Sequence, residues 1–106
     1  MDKSIIRVQK GQENPYVMID KRIFIDAGLS WKAKGILGYL LSKPDDWTIM
    51  VVDLIKQSTD GRDSVYSGLK ELAACGYVKR MDLRDNRGRL SGCEYLVHEN
   101  PQNVAI

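Results

Sequence analysis

The apolar residues Val65, Leu69, Leu72 and Ala73 recur at helical spacing, so one stripe faces a core while Arg62, Asp63, Tyr66, Ser67 and Lys70 fall on the opposite side. Asp60 and Gly61 stand where a cap is needed for the free amides, and Gly76 after Cys75 supplies a left-handed stop. Upstream, Val52, Leu54 and Ile55 predict a brief apolar helix, joined to the longer one by a turn at Ser58, Thr59, Asp60 and Gly61. Downstream, Tyr77 to Arg84 alternates apolar and charged residues, Asp85 to Gly88 reads as a turn, and Cys93 to His98 as the return strand. A helix, a tight turn, a second helix and a basic hairpin are the order of a winged helix-turn-helix.

The first half supplies the scaffold. Ser30 is a good N-cap for a helix whose inner face is Ala33, Ile36, Leu37, Leu40 and Leu41, ended by Lys43 and Pro44. Asp20 to Ala27 predicts a short helix with Ile23 and Phe24 turned inward, ending at Gly28. Ile5 to Val8 and Tyr16 to Ile19 predict two strands around a loop with Gly11, Asn14 and Pro15. They read equally as a terminal hairpin that joins a second copy or as strands packed on their own domain. Trp47 to Ile49 reads either as a strand added to the hairpin sheet or, through Thr48, as a cap of the next helix. Gly35, Gly38 and Gly68 lie inside helices, each costing about 1 kcal/mol against Ala, so close helix approach is the expected compensation.

The expected fold class is α+β: a winged helix-turn-helix of three to four helices, a small antiparallel sheet and an N-terminal hairpin. The 106 residues fit one domain, with an extension at 1–19, the core at 20–99 and a tail at 100–106. The formal charge is only +2, so any footprint for a polyanion has to be local. Lys79, Arg80, Arg84, Arg87 and Arg89 crowd the hairpin against Asp82, Asp85 and Glu94, whereas Pro44, Asp45 and Asp46 form an acidic loop expected to face away from phosphates. With no apolar run long enough for a bilayer, no leader pattern, and Cys75 and Cys93 unsuited to a disulfide scaffold or zinc site, the expectation is a reduced, cytoplasmic protein without membrane contact.

Candidate chemistry narrows to recognition of double-stranded DNA. Arg62, Ser64, Tyr66, Ser67 and Lys70 offer a mixed donor set for base edges and phosphates in a major groove, and Arg84, Arg87 and Arg89 are placed for phosphates or the minor groove. Trp31 and Trp47 read as core or rim residues rather than stacking platforms. His98 is the only histidine, no phosphate-cradling glycine loop is present, and Asp45 and Asp46 are adjacent in a turn. No catalytic residue, metal, cofactor or small-molecule substrate is expected.

Three strings carry a resemblance. Leu29-Ser30-Trp31-Lys32-Ala33-Lys34-Gly35, then Ser42-Lys43-Pro44-Asp45-Asp46-Trp47, then Ser64-Val65 and Leu69-Lys70-Glu71-Leu72 leading to Gly76-Tyr77-Val78, resemble the helix-turn-helix domain of replication proteins of phages and plasmids of Gram-positive bacteria. The chain is also similar to the N-terminal winged helix of DnaD-type replisome organisers, over roughly Tyr16 to Pro101. The resemblance implies a module that binds origin DNA, or organises an assembly there, with replication proteins as partners; a homodimer through the terminal hairpin is the expectation from the residues at 5–8 and 16–19. The family's longer helicase-recruiting region has no counterpart after Pro101, which leaves a domain fragment and a stand-alone protein both open. A transcriptional regulator with the same contacts, and a winged helix used for protein assembly, are the alternative readings.

Overall fold

The computed structural model describes residues 4–9, 16–44 and 46–101. Among them the chain runs α1 (Arg22–Ile25), α2 (Trp31–Leu41), α3 (Val51–Ile55), α4 (Arg62–Ala74), β1 (Val78–Arg84) and β2 (Leu90–Val97). The fold is α+β, four helices with a two-stranded antiparallel sheet. No helix among the described residues is long and apolar enough to cross a membrane.

Helix α2 begins where its sequence says: the Ser30 hydroxyl oxygen accepts the Ala33 N–H at 3.1 Å. Ser30 is itself held from across the fold, since its N–H and hydroxyl both donate to the Glu71 carboxylate of α4. Those two bonds, the N–H first, keep the Glu71 carboxyl below its ordinary value. Ala33 and Leu37 of α2 then meet Leu72 of α4, Ile23 of α1, and Leu29, Tyr77 and Val78 in the main core. Leu54 of α3 packs with Val65 and Leu69 of α4 in a second cluster. Each fully buried leucine contributes about 1.5–3 kcal/mol.

Close helix approach accounts for one of the three helical glycines. A Cβ on Gly68 would fall inside contact distance of Ile36 Cδ1 and 3.5 Å from Lys32 Cγ, so its bareness lets α4 lie against α2. At Gly38 the neighbour is the Phe24 ring, 3.5 Å away, and a Cβ on Gly35 would meet nothing within 4 Å. The expectation therefore fails at Gly35, which faces open space.

Helix α4 stops as expected. Gly76 has φ +86°, the Tyr77 N–H donates to the Leu72 carbonyl at 2.9 Å, and the Gly76 N–H to the Ala73 carbonyl at 3.2 Å. This paired closure satisfies the last carbonyls of the helix and passes directly into β1. Tyr77 is 3% exposed and donates its hydroxyl to Asp26 Oδ2 at 2.8 Å. Lys34, 7% exposed, donates to the Phe24 carbonyl at 2.9 Å and lies 4.6 Å from the Trp31 ring centre.

Several expectations are corrected. Neither Ile5 to Val8 nor Tyr16 to Ile19 forms a strand; Gly11, Asn14 and Pro15 lie outside the described residues. The side chains of Ile6 and Met18 are 93% and 89% exposed, and two strands with no face to bury are marginal in water. Trp47 to Ile49 is neither strand nor cap: the Trp47 N–H is taken by the Pro44 carbonyl at 3.1 Å, and Met50 precedes α3 without a side-chain cap. The inter-helix turn spans residues 56–61, because Lys56 and Gln57 close α3 on Asp53 and Leu54. Helix α1 is shorter than Asp20 to Ala27 since the Asp20 carboxylate takes the Arg22 N–H, and Asp26, extended, takes the Gly28 N–H. Phe24 remains partly exposed. The return strand starts earlier, at Leu90, and His98 lies just past its end. Trp31 is not a core residue: it is 80% exposed at the start of α2.

Gly35→Ala is expected to raise unfolding free energy by about 0.5–1 kcal/mol and Gly76→Ala to lower it by about 1 kcal/mol, measured by urea denaturation. Burial and then the Asp26 bond push the Tyr77 phenol up to about 12 from 10.0. Its folded value lies above its unfolded one, so this contribution is complete below pH 10 and is lost as pH rises toward 12. Tyr77→Phe is expected to cost about 1 kcal/mol at pH 7 and to lose stability less steeply than wild type across that alkaline range.

Candidate nucleic-acid interface

The stripe of α4 that packs inward fixes what faces out. Arg62, Asp63, Tyr66, Ser67 and Lys70 are all exposed, as their spacing required. The Arg62 guanidinium carbon stands 5.5 Å from the Tyr66 ring centre, a cation–π pair that preorients both side chains. Lys70 has no ion pair or hydrogen bond among the described residues. Ser64 departs from the group: it is half-buried and lies two turns before Glu71, on the flank that meets α2. Ser67 accepts a hydrogen bond from Lys32 Nζ at 3.0 Å, which adds an α2 cation to the same flank.

The hairpin is antiparallel, with Val78 opposite Val97, Arg80 opposite Tyr95 and Asp82 opposite Cys93. Directly paired residues share a face, so Arg80 and Arg84 lie on the side of Cys93 and Tyr95. Leu83 pairs with Gly92 and Arg84 with Leu90, leaving Ser91 as the extra residue of a bulge where Gly92 has φ +145°. The tip is closed by its own carboxylate: Asp85 accepts the N–H groups of Arg87 and Arg89, both at 2.9 Å. These two amides, Arg89's first, keep the Asp85 carboxyl below its ordinary value.

The three expected hairpin arginines are therefore not equivalent. Arg89 pairs with Asp85 at 3.3 Å, Arg84 Nη1 donates to the Gly88 carbonyl at 3.4 Å, and the Arg87 side chain has no partner among the described residues. Arg80, which the sequence reading left outside the candidate set, lies 3.6 Å from Asp82 and beside Cys93. Alternation along β1 puts it on the same face as Arg84, and the strand register sets that face beside Cys93 and Tyr95.

Helix and hairpin meet across one cleft. Tyr66 and Leu69 of α4 form one side and Gly92, Cys93 and Tyr95 of β2 the other, enclosing about 470 Å³. The Tyr66 flank of α4 thus adjoins the hairpin face that carries Arg80 and Arg84. Asp46 and Pro44 lie beside Leu96 and Val97, at the end of β2 away from the tip. Asp45 is outside the described residues. On the opposite flank, a cleft of about 290 Å³ is bordered by Trp31, Gly35, Asp60 and Val65. No group of three or more His, Cys, Asp or Glu side chains able to hold a metal occurs among the described residues.

Comparison with family models, with curated proteins and with solved structures gave no match.

Proposed function

We propose that the chain is a winged-helix domain that binds double-stranded DNA in the initiation of phage or plasmid replication. The observation that carries this reading is the cleft shared by Tyr66 and Gly92–Tyr95, which sets the cationic outer face of α4 beside the cationic face of the hairpin. An α-helix fits the B-DNA major groove, about 12 Å wide, and the exposed side chains Arg62, Tyr66 and Lys70 supply donors for base edges and phosphates. The hairpin would flank the groove, with Arg87 on a phosphate and Arg80 and Arg84 along the approach. Ser67 enters through its bond to Lys32, and Ser64, on the inner flank, has a supporting place. Replication rather than transcription rests on the resemblance of the Leu29–Gly35 and Ser42–Trp47 strings to phage and plasmid replication proteins.

A protein-assembly role is the second reading, favoured by Asp63 on the outer face and by the small net charge of +2. Salt separates the two. Binding to random and candidate-origin duplexes, followed by fluorescence anisotropy, is expected to weaken with salt at a log–log slope of about −0.9 per phosphate neutralised. Absence of binding at low salt would leave assembly.

Arg87→Ala is expected to weaken all duplexes alike and to reduce the slope by about one, whereas Arg89→Ala has a smaller effect because Asp85 already holds that guanidinium. Tyr66→Ala and Lys70→Ala are expected to change sequence preference more than either. Equal losses on specific and random DNA would remove α4 from the base-reading surface.

A further inference from the structure

Two residues of α2 are left unexplained by its packing. Trp31 is 80% exposed, and Gly35, one turn further on, weakens a helix interior although a Cβ there would meet nothing within 4 Å. With Tyr39 they form one stripe at four-residue spacing, and all three border the cleft of about 290 Å³ between α2 and the α3–α4 turn. The bare middle position opens a slot between two aromatic side chains.

The remaining lining divides by chemistry. Ile36, Leu54 and Val65 give the cleft apolar surface, whereas Gln57 and Asp60 border it from the turn. The Gln57 amide nitrogen donates to the Asp53 carbonyl at 3.2 Å, which leaves its oxygen to accept, and the Asp60 carboxylate has no hydrogen bond or ion pair among the described residues. Both are acceptors. One face of the Trp31 ring is held by the Lys34 ammonium, 4.6 Å from its centre and itself fixed on the Phe24 carbonyl, so the other face is left to stack. Lys32 also borders the cleft, and its bond to Ser67 at 3.0 Å carries a cation from there to the outer flank of α4.

We propose that this cleft receives one unpaired nucleobase of a DNA strand, stacked on Trp31, with its exocyclic amine toward Asp60 and Gln57 and its phosphate toward Lys32. A flat ring, acceptors for a base edge and a cation for the backbone are the three groups that such a ligand requires. The volume agrees: it stands at the lower end of the about 300–1,000 Å³ of small-molecule sites, room for one ring system and not for a helix laid in a groove. The cleft is on the opposite flank of α4 from Tyr66, so base and duplex do not compete for one surface. This inference deepens the DNA reading and rests on it for where the strand comes from: a strand leaving a duplex held on α4 reaches the slot past Lys32. The domain then prefers a junction of double and single strand to an uninterrupted duplex.

Trp47→Phe leaves Trp31 as the sole tryptophan of the full chain, and its emission at low salt reports the site. Three probes are added: a blunt duplex, the same duplex with a short tail of unpaired deoxycytidines, and the free single strand. The tailed duplex is expected to bind about tenfold more tightly than the blunt one, and both it and the free strand to quench the emission. Trp31→Ala, followed by anisotropy, is expected to lose that preference and to keep its affinity for the blunt duplex. Gly35→Leu fills the slot from a position with open space around it, and is expected to lose the same preference with thermal stability at or above wild type, which excludes a folding defect. Equal binding of tailed and blunt duplexes, or a tail preference that survives Trp31→Ala, would overturn the inference. So would an emission unmoved by the tail, the result expected if the cleft instead takes an apolar side chain of a protein partner. Quenching by the free strand without binding of the blunt duplex would keep the base site and remove the duplex reading; blunt-duplex binding with no effect of the tail would do the reverse.

Discussion

The contact between α2 and α4 is the constraint from which the remaining geometry descends. Gly68 lets the two helices close on each other, Leu37 and Leu72 fill the space beneath, and Glu71 ties the first turn of α2 to α4 through Ser30. The tie acts twice, since the same serine that receives Glu71 also starts the α2 hydrogen-bond ladder. Rotation of α4 about its axis would break the Ser30 bonds and bring a side chain of α4 against Ile36, where Gly68 now leaves room. The outward set from Arg62 to Lys70 is therefore held by packing rather than by its own interactions.

Electrostatics in this chain is local and largely self-compensating. Asp20 is lowered to about 2 by the side chain and N–H of Arg22, and Asp26 lies below its ordinary value mainly through Tyr77. Arg80 and Arg89 each have a carboxylate neighbour. Such exposed pairs add little stability, typically 0–1 kcal/mol, but they reduce the positive field of the hairpin at long range. Lys70 on the helix and Arg87 at the hairpin tip have no such neighbour among the described residues, and they lie on the two elements that meet across the Tyr66 cleft.

Periodicity made the helices legible. The Val65, Leu69, Leu72 stripe and the Ala33, Leu37 pair are buried, and Ser30 and Gly76 begin and end their helices as residue chemistry requires. Features decided by tertiary contact were not legible. Ser64 looks like any polar residue of α4 until the position of α2 is known, and that Arg80 lies beside Tyr95 and Cys93 is known only from the register. The N-terminal segments carry β-forming residues, yet composition supplies no partner strand, and among the described residues they form none. Trp31 misled for a related reason: its size suggested burial, whereas its position at the head of α2 sets it outside, over Lys34.

Only Cys75, Gly76 and Tyr77 separate α4 from β1, and all three of their N–H groups are committed to the helix they leave. The hairpin consequently has no hinge at its root. Its direction is inherited from the helix axis, and one inserted residue there would swing the whole arm and turn every strand side chain to the other face. Length can be added or removed at the far loop between Arg84 and Leu90 without that penalty. Variation in how far this appendage reaches is thus open to the chain, while variation in its angle is closed.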